Sequence, residues 1–287
     1  MYQERRISQS ELLQLLLLDN LYSQSGSERI VFQGGTALRW VYGGMRFSED
    51  LDFVSDLTRE EIETVLAKAY AQNVKSCIAQ FGRCSVEQQV KDSRRSAYKT
   101  LFICRPEAQR ERIAVRLEFE MLQMDQEPKY ERFVLRDLPQ VAGLIGGGRL
   151  VLPYTSSIVL AETPEELLSD KIRALLERKY LKGRDIFDIW WIVDRMGVQV
   201  RWPVVRAKLA MYQTRFTLAR KGDYFQTEEA ATAMIRALDS DLGRFIPQNI
   251  ISVYQKDNFR PFIHAVKEVT RELWDQGMRE YFETDDR

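Results

Sequence analysis

Histidine is almost absent from this chain: His264 is the single one among 287 residues. Mechanisms that rest on histidine metal ligands or on a histidine-activated serine have little material here, and hydrolase readings lose most of their support. Cysteine is scarce too. Cys77, Cys84 and Cys104 are odd in number and lack metal-ligand spacing, which argues against a disulfide scaffold or a zinc site and for a reducing compartment, with the cytoplasm as the expected location. The leucine-rich start, Leu12 to Leu18 broken by Gln14, is flanked by Glu11 and Asp19. It is too short to span a bilayer, so it reads as an N-terminal helix capped by Ser8 or Ser10, with no export signal and no membrane partner expected.

Net charge is missing as well, with 42 basic against 42 acidic residues, so bulk basicity offers no argument for nucleic acid. Two local runs do. Lys91 to Arg116 holds eight cations against three acids, and Arg201 to Lys221 holds six with no acid. The second run interleaves Trp202, Tyr212 and Phe216, followed by Tyr224 and Phe225, a mixture suited either to tracking phosphates and stacking bases or to a solvated helix with its aromatics in the core. Repeats, low-complexity tracts and Pro/Gly linkers are also lacking. Gly143 to Gly148 reads as a flexible hinge or hairpin, because Gly146-Gly147-Gly148 lacks the helix and lysine of a phosphate-binding loop.

What is present begins with Ile30-Val31-Phe32, a short apolar run suited to a buried strand, which stops at Gly34-Gly35. Adjacent glycines permit a sharp turn and a close backbone approach to a ligand, and Thr36 to Tyr42 then reads as a brief helix. Its first amides and its dipole favour a phosphate there, with the Thr36 hydroxyl as a further donor. Downstream, Asp50-Leu51-Asp52-Phe53 alternates, so the two aspartates share one strand face while the apolar pair turns to a core. Two neighbouring carboxylates repel unless a cation sits between them, and Mg²⁺, which takes one or two protein carboxylates plus substrate oxygens, is the natural resident.

The segment from Phe32 to Phe53 resembles the signature of the polymerase-β-type nucleotidyltransferases, and its form, Gly-Gly-Thr-Ala-Leu followed by Arg46-Phe47-Ser48-Glu49-Asp50-Leu51-Asp52-Phe53, is similar to the AbiEii/AbiGii-type toxins of bacterial abortive-infection and toxin–antitoxin systems. A second block, Asp170-Lys171 to Arg178 followed by Arg184-Asp185-Ile186-Phe187-Asp188, resembles the downstream motif of the same family. Read from the residues alone, Thr163-Pro164-Glu165-Glu166 opens a helix over about 164–179. Lys171 and Arg178 then lie two turns apart on its margin, placed to grip a triphosphate or to snorkel beside the core. Asp185 and Asp188 fall in the first turn of the next helix, where the dipole favours carboxylates whatever the chemistry.

The resemblance implies a third acid on a neighbouring strand. Ile113 to Glu120 alternates cleanly, so Glu118 can join the aspartates across the sheet, with Glu120 as the competing choice. The implied chemistry is transfer of a nucleoside monophosphate from an NTP, with two Mg²⁺ ions on Asp50, Asp52 and Glu118. Gly34, Gly35, Thr36 and Ser48 would hold the phosphates with Arg46, Lys171 and Arg178, while Asp185 assists. The implied acceptor is RNA, the tRNA 3′ end above all, and the implied partner a cognate antitoxin. A protein hydroxyl as acceptor, or a non-catalytic nucleotide-sensing module, are the alternatives.

The expected fold is α+β: a nucleotidyltransferase-type mixed sheet flanked by helices over residues 1–160, then a mostly helical domain over 161–287. Strands are predicted near 84–92, 97–104 and 112–120. Helices are predicted near 58–80, 164–179, 184–196, 202–214, 227–242 and 260–280.

Overall fold

A computed structural model describes residues 4–94, 96–154 and 157–284. Residues 1–3, 95, 155, 156 and 285–287, parts of the expected domains and of the first basic run, lie outside it. The chain forms two compact units, Gln3–Glu162 with Tyr212–Thr214, and Thr163–Met211 with Arg215–Arg287.

The first unit opens with α1 (Glu4–Tyr22), β1 (Ile30–Gln33), α2 (Gly34–Trp40), β2 (Asp50–Ser55) and α3 (Arg59–Phe81). It continues through β3 (Cys84–Arg94), β4 (Ala97–Pro106), β5 (Ile113–Met121), β6 (Tyr130–Val134), α4 (Pro139–Gly146) and β7 (Ile158–Glu162). The seven strands form one mixed sheet in the order β3-β4-β5-β2-β1-β7-β6. Pairing is parallel between β2 and β5 and between β1 and β7, and antiparallel elsewhere.

Alternation along the four central strands separates core from chemistry. Phe32 pairs with Phe53, Phe53 with Phe119, and Phe119 with Tyr98. Their rings touch in the same sequence at 5.5, 4.9 and 6.2 Å. This row of buried aromatics fixes the register, because a one-residue slip would carry every ring to the opposite face. The adjacent row on the other face runs Gln33, Asp52, Glu118, Lys99.

Helix α1 begins at Glu4, ahead of the expected Ser8 or Ser10 cap. Leu13, Leu15 to Leu18 and Leu21 are buried, so the helix is a core element enclosed on most sides. Gln14 is fully buried among them. It donates to the Ser48 carbonyl at 2.7 Å and accepts from the Trp40 indole at 3.2 Å, tying helix α2 to the chain that leads into β2. Helix α3 starts at a reciprocal box in which Thr58 accepts from the Glu61 amide and Glu61 accepts from the Thr58 amide; such a cap is worth about 1 kcal/mol.

The glycine-rich stretch expected as a hinge is mostly helix. Pro139 sits in the first turn of α4, and the helix closes where Gly148 adopts φ +67° and the Gly147, Gly148 and Arg149 amides return to carbonyls of the last turn. The glycines end a helix here; they do not open a hairpin.

The second unit is helical: α5 (Pro164–Glu177), α6 (Gly183–Trp190), α7 (Trp202–Met211), α8 (Glu228–Asp241), α9 (Gln248–Gln255), α10 (Arg260–Leu273) and α11 (Arg279–Thr284). Thr163 occupies the position before α5, yet its side chain makes no capping hydrogen bond. Leu168, Ile172, Leu175 and Leu176 form the buried stripe of α5. Phe187 and Trp190 of α6 pack on Phe262 of α10 at 5.3 and 4.6 Å.

The aromatic-basic run 201–221 is divided between core and surface: Arg201, Arg206, Arg215 and Lys221 are exposed. Trp202, Lys208 and the nearby Phe225 are buried in the helical unit, with the Lys208 ammonium 3.2 Å from Glu166 and 3.0 Å from Asp170. The predicted helix 202–214 stops at Met211. Tyr212 instead bridges to Leu122, and the Gln213 amide donates to the Met121 carbonyl at 2.9 Å.

Candidate active site

In the sheet-bearing unit the site grows from the glycine turn. Gly34 adopts φ +77°, and a Cβ there would stand 2.6 Å from Asp52 Oδ2; at Gly35 a Cβ would strike the Arg46 guanidinium and lie 3.1 Å from Ser48 Oγ. Both positions therefore require glycine for space, and Gly34 also for conformation. Gly34→Ala should cost about 1–3 kcal/mol in denaturant unfolding, more than Gly43→Ala. Gly43 shares a positive φ, +71°, but its Cβ would meet nothing within 4 Å. Equal losses would show that the Asp52 contact is unimportant.

Thr36 corrects an expectation. It is fully buried and its hydroxyl donates to the Asp50 carbonyl, so the group expected at a phosphate instead fastens α2 to the acidic strand. Arg46 and Ser48 are also buried. The Arg46 guanidinium donates to the Phe47 carbonyl at 2.9 Å and lies against Gly35, so these two residues back the turn.

Asp50 and Asp52 share one face of β2, half-buried, while Leu51 and Phe53 are fully buried on the other. Register sets Glu118 directly opposite Asp52 and Glu120 opposite Val54. Glu118 is ion-paired: its oxygens meet Lys99 and, at 3.0 Å, Arg116. Arg116 also stands 4.0 Å from Asp50. Burial pushes the Glu118 carboxyl up, but the hydrogen bonds and charges of Lys99 and Arg116 together outweigh it and hold the group below its ordinary value. Its ionised form thus stabilises the fold above the ordinary carboxylate range, and that contribution is lost as pH falls through the lowered value. In Lys99→Met the acid-side loss of Tm should begin at higher pH; an unchanged profile would exclude this coupling.

A cleft of about 200 Å³ is lined by Gln33, Asp52, Lys99, Glu118, Glu120 and Thr214, among others. Thr214 arrives by way of the Tyr212–Gln213 clip, with the Tyr212 hydroxyl 3.5 Å from Gln33 Oε1. Nothing in the sequence marks this return, because 202–214 reads as one helix. Gln33 and Lys99 reach the site through pairing register, which no motif in the sequence marks.

The donor chemistry of Asp50 and Asp52 suits a hard divalent ion, and the Gly34 backbone stands close against the Asp52 carboxylate. Among the described residues, no group of three or more acidic, histidine or cysteine side chains stands arranged to hold a metal. The expected third ligand, Glu118, is held by two cations instead of standing free, since three bare carboxylates in one row would repel.

In the helical unit a second cluster forms around Lys171 on α5. Its ammonium lies 2.9 Å from Asp188 and 3.3 Å from Asp185, and Asp185 also pairs with Arg178. Both aspartates are buried, Asp188 completely. Helix α5 ends at Glu177, so Arg178 is an extended C-cap residue and not part of the predicted helix margin. Asp188, given the lesser role by sequence, makes the shorter contact.

The mixed sheet, its acidic row and the following helices define a nucleotidyltransferase-type α+β protein. Two crystal structures from Helicobacter pylori share the fold: one provisionally named a nucleotidyltransferase, at TM-score 0.57 and 15% identity over 95% of this chain and 98% of that one, and JHP933, at TM-score 0.58 and 15% identity over 99% and 100%. No curated protein matches the sequence. The family described as nucleotidyl transferase AbiEii toxin, type IV toxin–antitoxin system, matches residues 16–283, and the chain belongs to that family.

Proposed function

We propose that this protein is a Mg²⁺-dependent nucleotidyltransferase that moves a nucleoside monophosphate from an NTP to an RNA acceptor, the tRNA 3′ end, and acts as a toxin restrained by a cognate antitoxin. The observation that carries the reading is the contact of Gly34 with Asp52, which puts backbone that a phosphate can approach beside a hard-oxygen donor.

Asp50 and Asp52 would hold the metal, with Glu118 joining by exchange of its Lys99 and Arg116 contacts. Bound there, Mg²⁺ supplies charge neutralisation at the reacting phosphate. Gly34 and Gly35 admit the phosphates, and Arg46 and Ser48 keep the turn in shape. The acceptor oxygen bonds to the α-phosphorus, the bond from that phosphorus to the bridging α–β oxygen breaks, pyrophosphate departs, and a carboxylate of the acidic row takes the hydroxyl proton. Lys171, steered by Asp185 and Asp188, and Arg178 serve the same reaction by family resemblance.

Incubating the chain with each α-labelled NTP, Mg²⁺ and either total tRNA or a protein extract tests this. Label in RNA is the expected result. Label only in protein would move the acceptor to a side-chain hydroxyl, and NTP binding without any transfer would make the protein a sensor.

A further inference from the structure

We propose that the turn between α5 and α6, Arg178 to Arg184, is a contact surface for single-stranded RNA, with Tyr180 as a base-stacking platform and Lys179 and Lys182 as phosphate contacts. The inference rests on the RNA-acceptor reading above.

Tyr180 is 73% exposed, and the turn that carries it is pinned at both ends. Arg220 donates to the carbonyls of Leu175, Arg178 and Lys179, closing the C-terminus of α5. Gly183 is packed so tightly on α8 that a Cβ would stand 2.5 Å from the Ala237 carbonyl. A large aromatic is thus presented on anchored backbone, and the Lys179 ammonium lies 5.5 Å from its ring centroid.

The turn carries more cations than its ion pairs engage, although Arg184 lies 5.2 Å over the Phe245 ring. Arg178 is engaged by Asp185 and Arg220 by the α5 carbonyls, but no ion pair among the described residues engages Lys179, Lys182 or Arg184. A helix C-terminus favours cations, which accounts for Lys179. Lys182 and Arg184 sit at the start of α6, where the helix dipole disfavours positive charge. Burial presses the Lys182 ammonium below its ordinary value, and the charges of Arg178 and Arg184 press it further against the smaller opposing pull of Asp185 and Asp241. Crowded cations in the place helix physics would choose last are what a polyanion relieves. The exposed ring selects among polyanions: it offers a face to an unpaired base, as single-strand binders do, and is of no evident use to an acidic polypeptide.

The test is fluorescence anisotropy of a labelled single-stranded oligoribonucleotide with the full chain across a range of KCl concentrations. Tyr180→Ala should weaken binding roughly 5- to 150-fold and Tyr180→Phe should restore it. Lys179→Gln with Lys182→Gln should flatten the slope of log K against log salt by about 1.4, or 0.7 per phosphate contact. NTP affinity should stay unchanged in every variant. Wild-type affinity and slope in the variants, while RNA is still bound and labelled, would overturn this surface and leave the transferase reading standing. Wild-type chain that binds no RNA but labels protein would overturn both. Variants that lose binding to polyglutamate yet keep RNA would assign the turn to an acidic protein, and the RNA surface would fall.

Discussion

Asp52→Ala should abolish nucleotide transfer, by on the order of 10³-fold or more, while the protein remains folded with a Tm within a few degrees of wild type. Asp52 occupies the centre of the polar row, with Gln33 on one side and Glu118 on the other, and its carboxylate is the group closest to where a Cβ of Gly34 would stand. Removing it takes away the proposed metal ligand from a half-buried position without opening the aromatic core behind it, so activity and stability should separate. Label transfer to RNA measured beside thermal unfolding checks both halves. Substantial residual transfer in a folded variant would remove the metal-dependent mechanism.

Lys208→Ala should be the most destabilising substitution in the helical unit, by about 3–5 kcal/mol in urea unfolding. The side chain is 0% exposed and its ammonium is shared by Glu166 and Asp170 across the α5–α7 contact. Truncation leaves two carboxylates facing each other in the interior, and a cavity beside them. Lys208→Met combined with Glu166→Gln and Asp170→Asn should recover most of the loss, because the charges then disappear together. A single substitution as mild as a surface lysine change would mean that water or another cation reaches the pair.

Much of the chemistry was legible because it is local. Gly34-Gly35, Asp50 and Asp52 lie within nineteen residues, and strand alternation alone puts the two aspartates on one face. That Glu118 and not Glu120 stands opposite Asp52 follows from register, which sequence does not contain; it is set by Phe53 against Phe119. Burial of Lys208 was illegible for a related reason. A lysine amid arginines reads as solvated, and only the buried Glu166, which suits the dipole of its own helix, reveals the demand for a counter-charge. Thr36 misled because an isolated hydroxyl near a glycine turn invites a ligand, whereas here a backbone carbonyl one strand away claims it. The Tyr212–Thr214 clip was illegible because nothing local ends α7 before it.

The shared alternation of aromatic rings and polar side chains on the same four strands has a genetic consequence. Deleting a single residue within β2 would invert the rest of that strand, pushing aspartates inward and aromatic rings out, so shortening it ruins catalysis and folding in one event. Point changes such as Asp52→Ala spare the scaffold. A screen for variants of this protein that have lost the proposed activity should therefore yield two populations: soluble, full-length proteins altered on the acidic face, and degraded chains carrying small in-frame losses.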